Sequence, residues 1–296
     1  MSGVSAIDSP PPESDLERVA CPICGRGDDE LLFLKGGFRI ARCPGCGLVY
    51  VNPRLTQRAL TALYDAQAIS PTAYYLLTRR EDERSFDARL ELIERYRSPG
   101  TLLDLGAGTG TFSKVARARG WQPRALDLNA ASVQRCRELG IYAIRAAFPS
   151  SALQGRVFDV VVMNDFLEHV GDPVAVVRAA RELLAPSGVL FITTPDVGAM
   201  VARLAGRRWL HLKPNEHLLY FDRRTITTLL EHTGFRVEVL RSIGRVRNLA
   251  VALDKLALVG ELPSRLARLL VPRRVAERID LPLNPGDEMA VIARPR

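Results

Sequence analysis

The sequence predicts an α/β fold, with a doubly wound parallel sheet preceded by a small N-terminal zinc ribbon. Three observations support this prediction. Short apolar runs alternate with helix-like stretches from residue 100 onward, a glycine-rich segment follows the first of these runs, and two close cysteine pairs lie near the N-terminus. Apolar strands that alternate with helices are typical of a parallel sheet covered on both faces.

Four segments are expected along the chain. They are a polar, Pro-rich and mobile lead-in over residues 1–20, a zinc ribbon over 21–53, a helical arm over 54–99, and a main domain over 100–296 with an insertion over 248–285. Asn52-Pro53 marks the end of the ribbon. The chain is long enough for one large domain and one small module.

The ribbon is predicted from the cysteine spacing. The motifs CPIC and CPGC are separated by eighteen residues and supply four thiols, which are Cys21, Cys24, Cys43 and Cys46. In a cytosolic chain such pairs favour metal over disulfides. Four thiolates close a tetrahedral zinc site without an open position, so the expected role is structural. Contact of the ribbon with substrate or nucleic acid is the alternative.

Two short strands are expected between the cysteine pairs, over Leu31–Leu34 and Phe38–Ala41, with a turn at Gly36-Gly37. The arm that follows combines a short helix over Gln57–Asp65 with an aromatic segment and a longer amphipathic helix over Glu81–Arg97. The aromatic residues of the arm are Tyr64, Tyr74 and Tyr75.

The main domain alternates strands with helices. Helices are expected to begin near Gly110, Ala130, Pro173 and Arg223. The predicted strands are Thr101–Leu105, Arg124–Leu128, Ile141–Ala147, Phe158–Met163, Val189–Thr193, Phe235–Leu240 and Glu288–Ala293. No ordinary crossover helix pattern links the last two strands.

The insertion between those two strands contains a predicted basic amphipathic helix within residues 262–278. Its leucines recur at helical spacing while arginines occupy the other positions. Such a helix packs against the sheet, caps the substrate cleft or rests on anionic lipid. The net charge of +8 points in the same direction, because residues 196–296 carry 18 Lys and Arg against 11 Asp and Glu. This excess suits an anionic partner, and it equally suits a solvated surface.

Targeting signals were sought at the N-terminus and along the whole chain. The first twenty residues lack the basic start and apolar stretch of a secretory signal. No window reaches about 18 uninterrupted apolar residues, the length that a membrane-spanning helix needs. A cytoplasmic protein is therefore expected.

The glycine-rich segment LLDLGAGTGTF, residues 102–112, carries the strongest functional signal. Gly106 and Gly108 follow the first strand, where ligands bind in open α/β sheets. Asp127 closes the second strand, 21 residues after Gly106, where a carboxylate can accept hydrogen bonds from ribose hydroxyls. A dinucleotide site is the competing interpretation. It is disfavoured because the third position of its GxGxxG fingerprint would be Thr111 instead of a small residue.

The run DLGAGTGTF resembles motif I of the class I S-adenosylmethionine-dependent methyltransferases. The resemblance continues through FDVVVMNDFLEHVGDP, ELLAPSGVLFITTPD and NEHLLYFDRRTITTLLEHTGF, and it covers roughly residues 85–296. It implies a seven-stranded sheet whose last strand is antiparallel, with S-adenosylmethionine as cofactor. The cofactor-binding residues that it implies are Asp104, Gly106, Gly108, Gly110, Asp127, Leu128 and Asn164.

Two Glu-His pairs are candidates for acid-base chemistry. Asp165, Glu168 and His169 resemble the D/E-x-x-E-H pattern that quinone-biosynthesis O-methyltransferases use near a divalent cation. Glu216 and His217 resemble the Glu-His pair that serves as base in sugar C-methyltransferases, which also carry an N-terminal zinc ribbon. We expect His217 to act as the base with Glu216 orienting it; methyl transfer without an essential base is the alternative.

Three functions remain open at the level of the sequence. The first is a methyltransferase acting on a small molecule, on a hydroxyl of a sugar, of a polysaccharide or lipid-linked intermediate, or of a secondary metabolite. The second is an rRNA or tRNA methyltransferase, which the ribbon and the basic C-terminal region favour, although aromatics do not interleave with the basic clusters. The third is a non-enzymatic binding protein of the same fold.

Overall fold

The computed structural model describes residues 11–66, 79–250, 253 and 272–296. Some of the sequence predictions therefore lie outside the described residues. These are the aromatic side chains of the arm, the first ten residues of the lead-in, and most of the basic helix expected within 262–278.

The ribbon is built from short antiparallel strands. In chain order these are β1 (Leu16–Glu17), β2 (Glu30–Lys35), β3 (Phe38–Arg42), β4 (Val49–Val51) and β5 (Arg54–Leu55). The strands β2 and β3 confirm the two predicted between the cysteine pairs. Gly36 and Gly37 join them with φ values of 57° and 79°, as a type I′ hairpin turn requires.

The second half of the lead-in pairs with the end of the ribbon. Strand β1 pairs with β5, and the backbone N–H of Val19 donates to Asn52 Oδ1 at 3.0 Å. The Asn52 side chain returns a hydrogen bond to the Val19 carbonyl at 3.0 Å. Hydrogen-bond partners from the far end of the ribbon therefore hold a segment whose composition alone suggests disorder. The four predicted segment boundaries remain a prediction.

Two helices form the described part of the arm, α1 (Gln57–Ala66) and α2 (Arg79–Glu94). Helix α2 begins two residues before its predicted start and ends three before its predicted end, because Tyr96 closes a turn onto the Ile93 carbonyl. Leu90 and Ile93 are fully buried against the sheet, and Phe86 packs beside them. The predicted apolar face is thus the one that docks the helix.

The main domain contains the remaining elements. They are β6 (Thr101–Leu105), α3 (Thr111–Ala118), β7 (Gln122–Asp127), α4 (Ala130–Glu138), β8 (Tyr142–Arg145), β9 (Phe158–Asn164), α5 (Pro173–Glu182), β10 (Leu184–Pro195), α6 (Met200–Ala205), β11 (Leu219–Tyr220), α7 (Arg223–His232), β12 (Phe235–Ser242), β13 (Arg245–Asn248), α8 (Arg273–Ala276), β14 (Asp280–Leu283) and β15 (Glu288–Pro295). All seven predicted strands and all four predicted helix starts are present.

Seven of these strands form one sheet in the order β12-β15-β10-β9-β6-β7-β8. The pairs from β8 to β10 are parallel, whereas β15 runs antiparallel to both β10 and β12. This confirms the seven-stranded, mostly parallel sheet with an antiparallel last strand. The carboxyl ends of the parallel strands lie at one edge, which is where a ligand is expected.

The ribbon sheet extends into the main domain. Strand β11 pairs with β4 and gives a four-stranded sheet in the order β11-β4-β3-β2. The backbone N–H of Val51 donates to the Leu218 carbonyl at 2.9 Å, and that of Leu218 donates to the Glu168 carbonyl at 2.8 Å. The ribbon therefore holds the segment that contains His217. Residues 245–248 and 280–283 pair as β13 and β14 and close the base of the insertion.

Candidate active site

Three glycines in the loop after β6 have φ values in the left-handed region, and their surroundings differ. Gly106 (φ 73°) lies where a Cβ atom would come within 2.5 Å of the Phe166 ring. Gly110 (φ 73°) lies where one would come within 2.9 Å of Cys136 Sγ. A Cβ on Gly108 (φ 53°) would meet nothing within 4 Å. Gly108 therefore faces open space, and packing against Phe166 explains Gly106 better than ligand approach does.

Asp127 borders that open space. Its Oδ2 accepts a hydrogen bond from the Gly108 N–H at 2.9 Å, and its Oδ1 accepts one from the Asn129 N–H at 2.8 Å. Burial raises the pKa of the carboxyl, although the backbone N–H groups oppose this effect. The next residue, Leu128, is half-buried and its carbonyl accepts from Arg145 Nε at 3.1 Å. The turn after β7 thus holds a carboxylate beside the glycine loop.

Asp104 lies underneath the same loop and is 1% exposed. It accepts a hydrogen bond from Ser113 Oγ at 2.7 Å, which ties β6 to the first turn of α3. Burial, with a contribution from the charge of Asp127, raises the pKa of Asp104 to about 7. Its position suits support of the loop better than direct contact with a ligand.

The end of β9 carries a network of buried charges that the sequence did not reveal. Asn164 Oδ1 accepts from Arg89 Nη1 at 2.8 Å, while the buried Asn164 Nδ2 has no hydrogen-bond partner in the structure. Asp165 (φ 49°) accepts from Arg245 Nη2 at 2.8 Å. Although burial opposes ionisation, Arg245 and Arg89 hold the pKa of Asp165 well below its usual range. The two arginines come from α2 and β13, so only the tertiary fold brings them here.

Glu168, His169 and His217 meet above the ends of β9 and β10. One potential ligand atom from each lies within 4.8 Å of the other two. The imidazole rings contact edge to face with centroids 4.7 Å apart. His169 Nδ1 lies 3.0 Å from the Glu216 carbonyl oxygen, whereas the buried His217 Nδ1 has no hydrogen-bond partner among the described residues. The structure therefore unites residues of the two predicted Glu-His pairs in one cluster.

Burial governs the protonation of this cluster. It raises the pKa of Glu168 to about 8, and the Glu168 carboxyl accepts a hydrogen bond from Thr194 Oγ1 at 3.0 Å. It lowers the pKa of His169 and lowers that of His217 well below its ordinary value. Both imidazoles are therefore neutral near pH 7 and able to accept a proton or bind a metal ion.

Among the described residues, the carboxylate that clusters with both imidazoles is that of Glu168. The Glu216 carboxylate lies 3.9 Å from Lys213 Nζ, and its negative charge partly offsets the lowering of the His169 pKa by burial. The orienting role of Glu216 stays a prediction. His211, which the sequence analysis did not single out, lies at the rim with Nε2 3.6 Å from Glu288 Oε1. Its only sequence signal was its position six residues before His217.

The cysteines of the ribbon form a second cluster. Cys21 Sγ lies 3.5 Å from Cys46 Sγ, and Cys24 Sγ lies 3.5 Å from Cys43 Sγ, with all four sulfurs within 4.8 Å of one another. Zinc–sulfur bonds of about 2.3 Å in a tetrahedron place the sulfurs about 3.8 Å apart. Burial raises the pKa of the Cys43 thiol, but backbone N–H groups of Cys46 and Gly45 together with neighbouring thiols bring it to about 7. The donor set fits zinc.

The chain is similar to known proteins both in sequence and in fold. A family profile described as a methyltransferase domain matches residues 77–240. The chain belongs to this methyltransferase family. The solved structure of an S-adenosylmethionine-dependent methyltransferase from Thermotoga maritima, described as a possible histamine N-methyltransferase, shares the fold with a TM-score of 0.54 at 15% identity, over 79% of this chain and 99% of that one.

Curated relatives of the methyltransferase include two ubiquinone biosynthesis O-methyltransferases. One from Xanthomonas axonopodis pv. citri is 36% identical over 115 residues, which are 36% of this chain and 48% of the relative. One from Xanthomonas campestris pv. campestris is 35% identical over 175 residues, which are 51% of this chain and 73% of the relative. The chain thus spans about half the length of the first.

Alanine at Gly108 is expected to weaken cofactor binding, whereas alanine at Gly110 is expected to destabilise the fold. Gly108→Ala keeps the fold at a strain cost of about 1–2 kcal/mol. It lowers the affinity for S-adenosylmethionine about tenfold or more, because an overpacked contact costs about 1–3 kcal/mol. Gly110→Ala lowers the free energy of unfolding by about 2–5 kcal/mol, since strain and the contact with Cys136 add. Calorimetric titration and denaturant unfolding measure the two effects. Stable Gly110→Ala protein without cofactor binding would contradict the packing explanation.

Proposed function

We propose that the protein is an S-adenosylmethionine-dependent O-methyltransferase that acts on a hydroxyl of a small molecule. The observation that carries this proposal is the open space at Gly108 beside the Asp127 carboxylate, at the carboxyl edge of the sheet. A ligand with a ribose can approach the backbone there and donate its hydroxyl protons to Asp127. The names of the curated relatives support transfer to oxygen.

Two histidines beyond the glycine loop can provide the proton acceptor that this reaction needs. Bound S-adenosylmethionine would supply the methyl group, its C–S bond breaking as the O–C bond to the acceptor forms, and the hydroxyl proton would pass to a base. His217 and His169 are buried and neutral, so either imidazole can take that proton. Since the displacement is in-line, the remaining task of the site is to position the acceptor and exclude water.

The acceptor that we propose is polar, either a sugar, a polysaccharide or lipid-linked intermediate, or a secondary metabolite. Arg245 links the charged side chains of Asp165 and Glu288 near the end of β9, which suits a polar acceptor. Contact with an anionic membrane through residues 262–278 and a cytoplasmic location belong to the same proposal.

Methyl transfer from labelled S-adenosylmethionine tests the proposal directly. We expect a labelled product in a panel of sugar nucleotides, lipid-linked sugars and catechols, and an O-methyl group in that product by mass spectrometry. Absence of S-adenosylmethionine binding in calorimetry would overturn the proposal. A labelled RNA product, with RNA affinity that falls steeply as salt rises, would favour the RNA methyltransferase instead.

We further propose that the cluster of Glu168, His169 and His217 binds a divalent cation. A carboxylate and two imidazoles are donors that bind divalent first-row metals. Glu168, His169 and His217 would hold the ion, and it would supply charge that stabilises the acceptor oxygen as its proton leaves. Thr194 Oγ1 already hydrogen-bonds Glu168, as a group that orients a ligand would.

The Glu168→Gln variant separates proton binding from metal binding. Without added metal, the pKa of Glu168 lies at about 8 in the folded protein and near its ordinary value in the unfolded chain. The folded state therefore retains a proton on Glu168 that the unfolded state loses, and the contribution of Glu168 to stability falls as the pH rises from about 5 to 8. Glu168→Gln removes this contribution and leaves that of Asp104, so the stability of the variant falls less over this range than that of the wild type in denaturant unfolding at a series of pH values.

Added Mn²⁺ provides the complementary measurement, because it leaves zinc in the ribbon. If the cluster binds metal, Mn²⁺ raises the melting temperature of the wild type and has no effect on Glu168→Gln. Glu231→Gln is the matched control and keeps the wild-type response, since the exposed Glu231 carboxylate pairs with Arg296 and is not among the three donors. Equal responses of wild type and Glu168→Gln would exclude the metal site.

A further inference from the structure

The segment after β10 exposes an unusual set of large apolar side chains. Leu204 is 81% exposed and Met200 is 75% exposed, both on helix α6. Val201 is 39% exposed on the same helix and Leu210 is 46% exposed just beyond it. Scattered apolar residues are normal on a protein surface, whereas a contiguous group within eleven residues indicates a contact with another apolar surface.

This segment is firmly anchored, so its exposure does not result from loose packing. Ala202 on α6 and Trp209 after it are buried. Trp209 Nε1 donates to Asp287 Oδ2 at 2.9 Å, and Lys35 Nζ donates to the Arg207 carbonyl at 2.8 Å. The anchors come from the β14–β15 connection and from the ribbon strand β2. They leave the apolar side chains facing solvent from a fixed position.

Basic side chains surround the apolar ones. Arg203, Arg207 and Arg208 are exposed. None of the three forms an ion pair in the part of the chain that the structure describes, although Arg207 lies over the Phe33 ring at 5.6 Å. The segment therefore presents net positive charge beside apolar surface.

We propose that this surface binds an anionic phospholipid membrane. The α6 surface, as we call it, comprises Met200, Val201, Leu204 and Leu210 with Arg203, Arg207 and Arg208. Apolar side chains of this size enter the boundary between headgroups and acyl chains, while arginines meet the lipid phosphates. The contact is peripheral: within the described residues, none of the helices combines the length and the apolar character that crossing a bilayer requires.

The α6 surface adjoins the candidate active site. The chain runs from the end of β10 through α6 to His211, whose Nε2 lies 3.6 Å from Glu288 at the rim. A membrane held against α6 would therefore lie next to the segment that carries His211 and His217. The inference goes beyond the proposed methyl transfer and stands on exposure and charge alone, so it can hold even if the acceptor differs.

Vesicle sedimentation of the full chain tests the proposal. We expect the protein to bind vesicles of 70% phosphatidylcholine and 30% phosphatidylglycerol, to bind pure phosphatidylcholine far more weakly, and to be released by salt. Met200→Ser with Leu204→Ser lowers partition at least about tenfold, since burial of each side chain is worth about 1.5–3 kcal/mol. Arg203→Gln with Arg207→Gln lowers it about 25-fold, at about fivefold for each charge.

Arg156 and Val157 provide matched controls at the opposite end of β9. Both are exposed, Val157 to 58%, at the amino edge of the sheet. Arg156→Gln and Val157→Ser should partition within about twofold of the wild type, and thermal melts verify that all variants fold. Equal binding of the α6 variants and the wild type, or no binding to phosphatidylglycerol, would overturn the proposal. So would a wild-type dimer that Leu204→Ser converts to a monomer in light scattering, because the surface would then join two copies of the chain.

Discussion

Asp127→Ala is expected to weaken S-adenosylmethionine binding about 10- to 150-fold, because hydrogen bonds to a charged group are each worth about 1.5–3 kcal/mol. The Asp127 carboxylate has two functions in the structure. It faces the open space at Gly108, where the ribose is expected, and it also accepts the N–H groups of Gly108 and Asn129. Alanine would remove the acceptor for the ligand and leave both backbone donors unpaired. Isothermal titration calorimetry measures the loss.

Asp172→Ala is the matched control for this substitution. Asp172 caps helix α5 by accepting from the Ala175 N–H at 2.9 Å, so its loss costs about 1 kcal/mol of stability. It lies after β9 but takes no part in the glycine loop. The control should therefore bind S-adenosylmethionine as the wild type does. If Asp127→Ala binds as tightly as Asp172→Ala, the cofactor site is not at the end of β7.

Cys43→Ser is expected to release zinc from the ribbon and to destabilise the protein strongly. Structural zinc contributes about 10–16 kcal/mol in small zinc-binding domains, so we expect a loss of at least about 4 kcal/mol here. At about 3 °C per kcal/mol, the melting temperature would fall by about 12 °C or more. Zinc released per chain, measured with a colorimetric chelator, and differential scanning calorimetry test both statements.

The same substitution should disturb the candidate active site at a distance. Cys43 and Cys46 immediately precede β4, which pairs with β11, and Leu218 in turn binds the Glu168 backbone. Loss of the zinc-bound turn at Cys43 and Cys46 therefore loosens the segment that carries His217. Hydrogen exchange should show faster exchange of the Leu218 N–H in Cys43→Ser.

Cys136→Ser serves as the control for the cysteine substitution. Cys136 is buried in α4, away from the ribbon, and its Sγ lies 3.8 Å from the Gly108 carbonyl. This variant should retain one zinc per chain and normal exchange at Leu218. A full zinc complement in Cys43→Ser would contradict the four-cysteine site.

Local sequence patterns were sufficient to predict much of the fold. The helix that starts at Pro173 was predictable because proline suits the first turn, and Asp172 before it accepts from the Ala175 N–H. The hairpin at Gly36-Gly37 was predictable because a type I′ turn needs two residues with positive φ. Strand β11 was not predicted, since two residues have no periodicity and form a strand only against β4.

In the candidate site, too, features set by local sequence could be predicted and features set by distant contacts could not. The glycine loop, Asp127 and the four cysteines were visible because their chemistry depends on residue type at short, fixed spacing. The roles of Gly106 and Gly110 were not, because they depend on Phe166 and Cys136 across the fold. Likewise the carboxylate that clusters with His217 is Glu168, 49 positions away in the sequence.

By itself, the sequence determined the methyltransferase fold, the location of the glycine loop after the first strand of the main sheet, and the four-cysteine cluster. Each is encoded by backbone constraints or donor types within a short stretch of chain. Only the tertiary structure decided which charges meet at the end of β9, that the ribbon sheet continues into β11, and that α6 displays apolar and basic side chains together. These features depend on burial and on contacts between distant segments, which residue spacing does not encode.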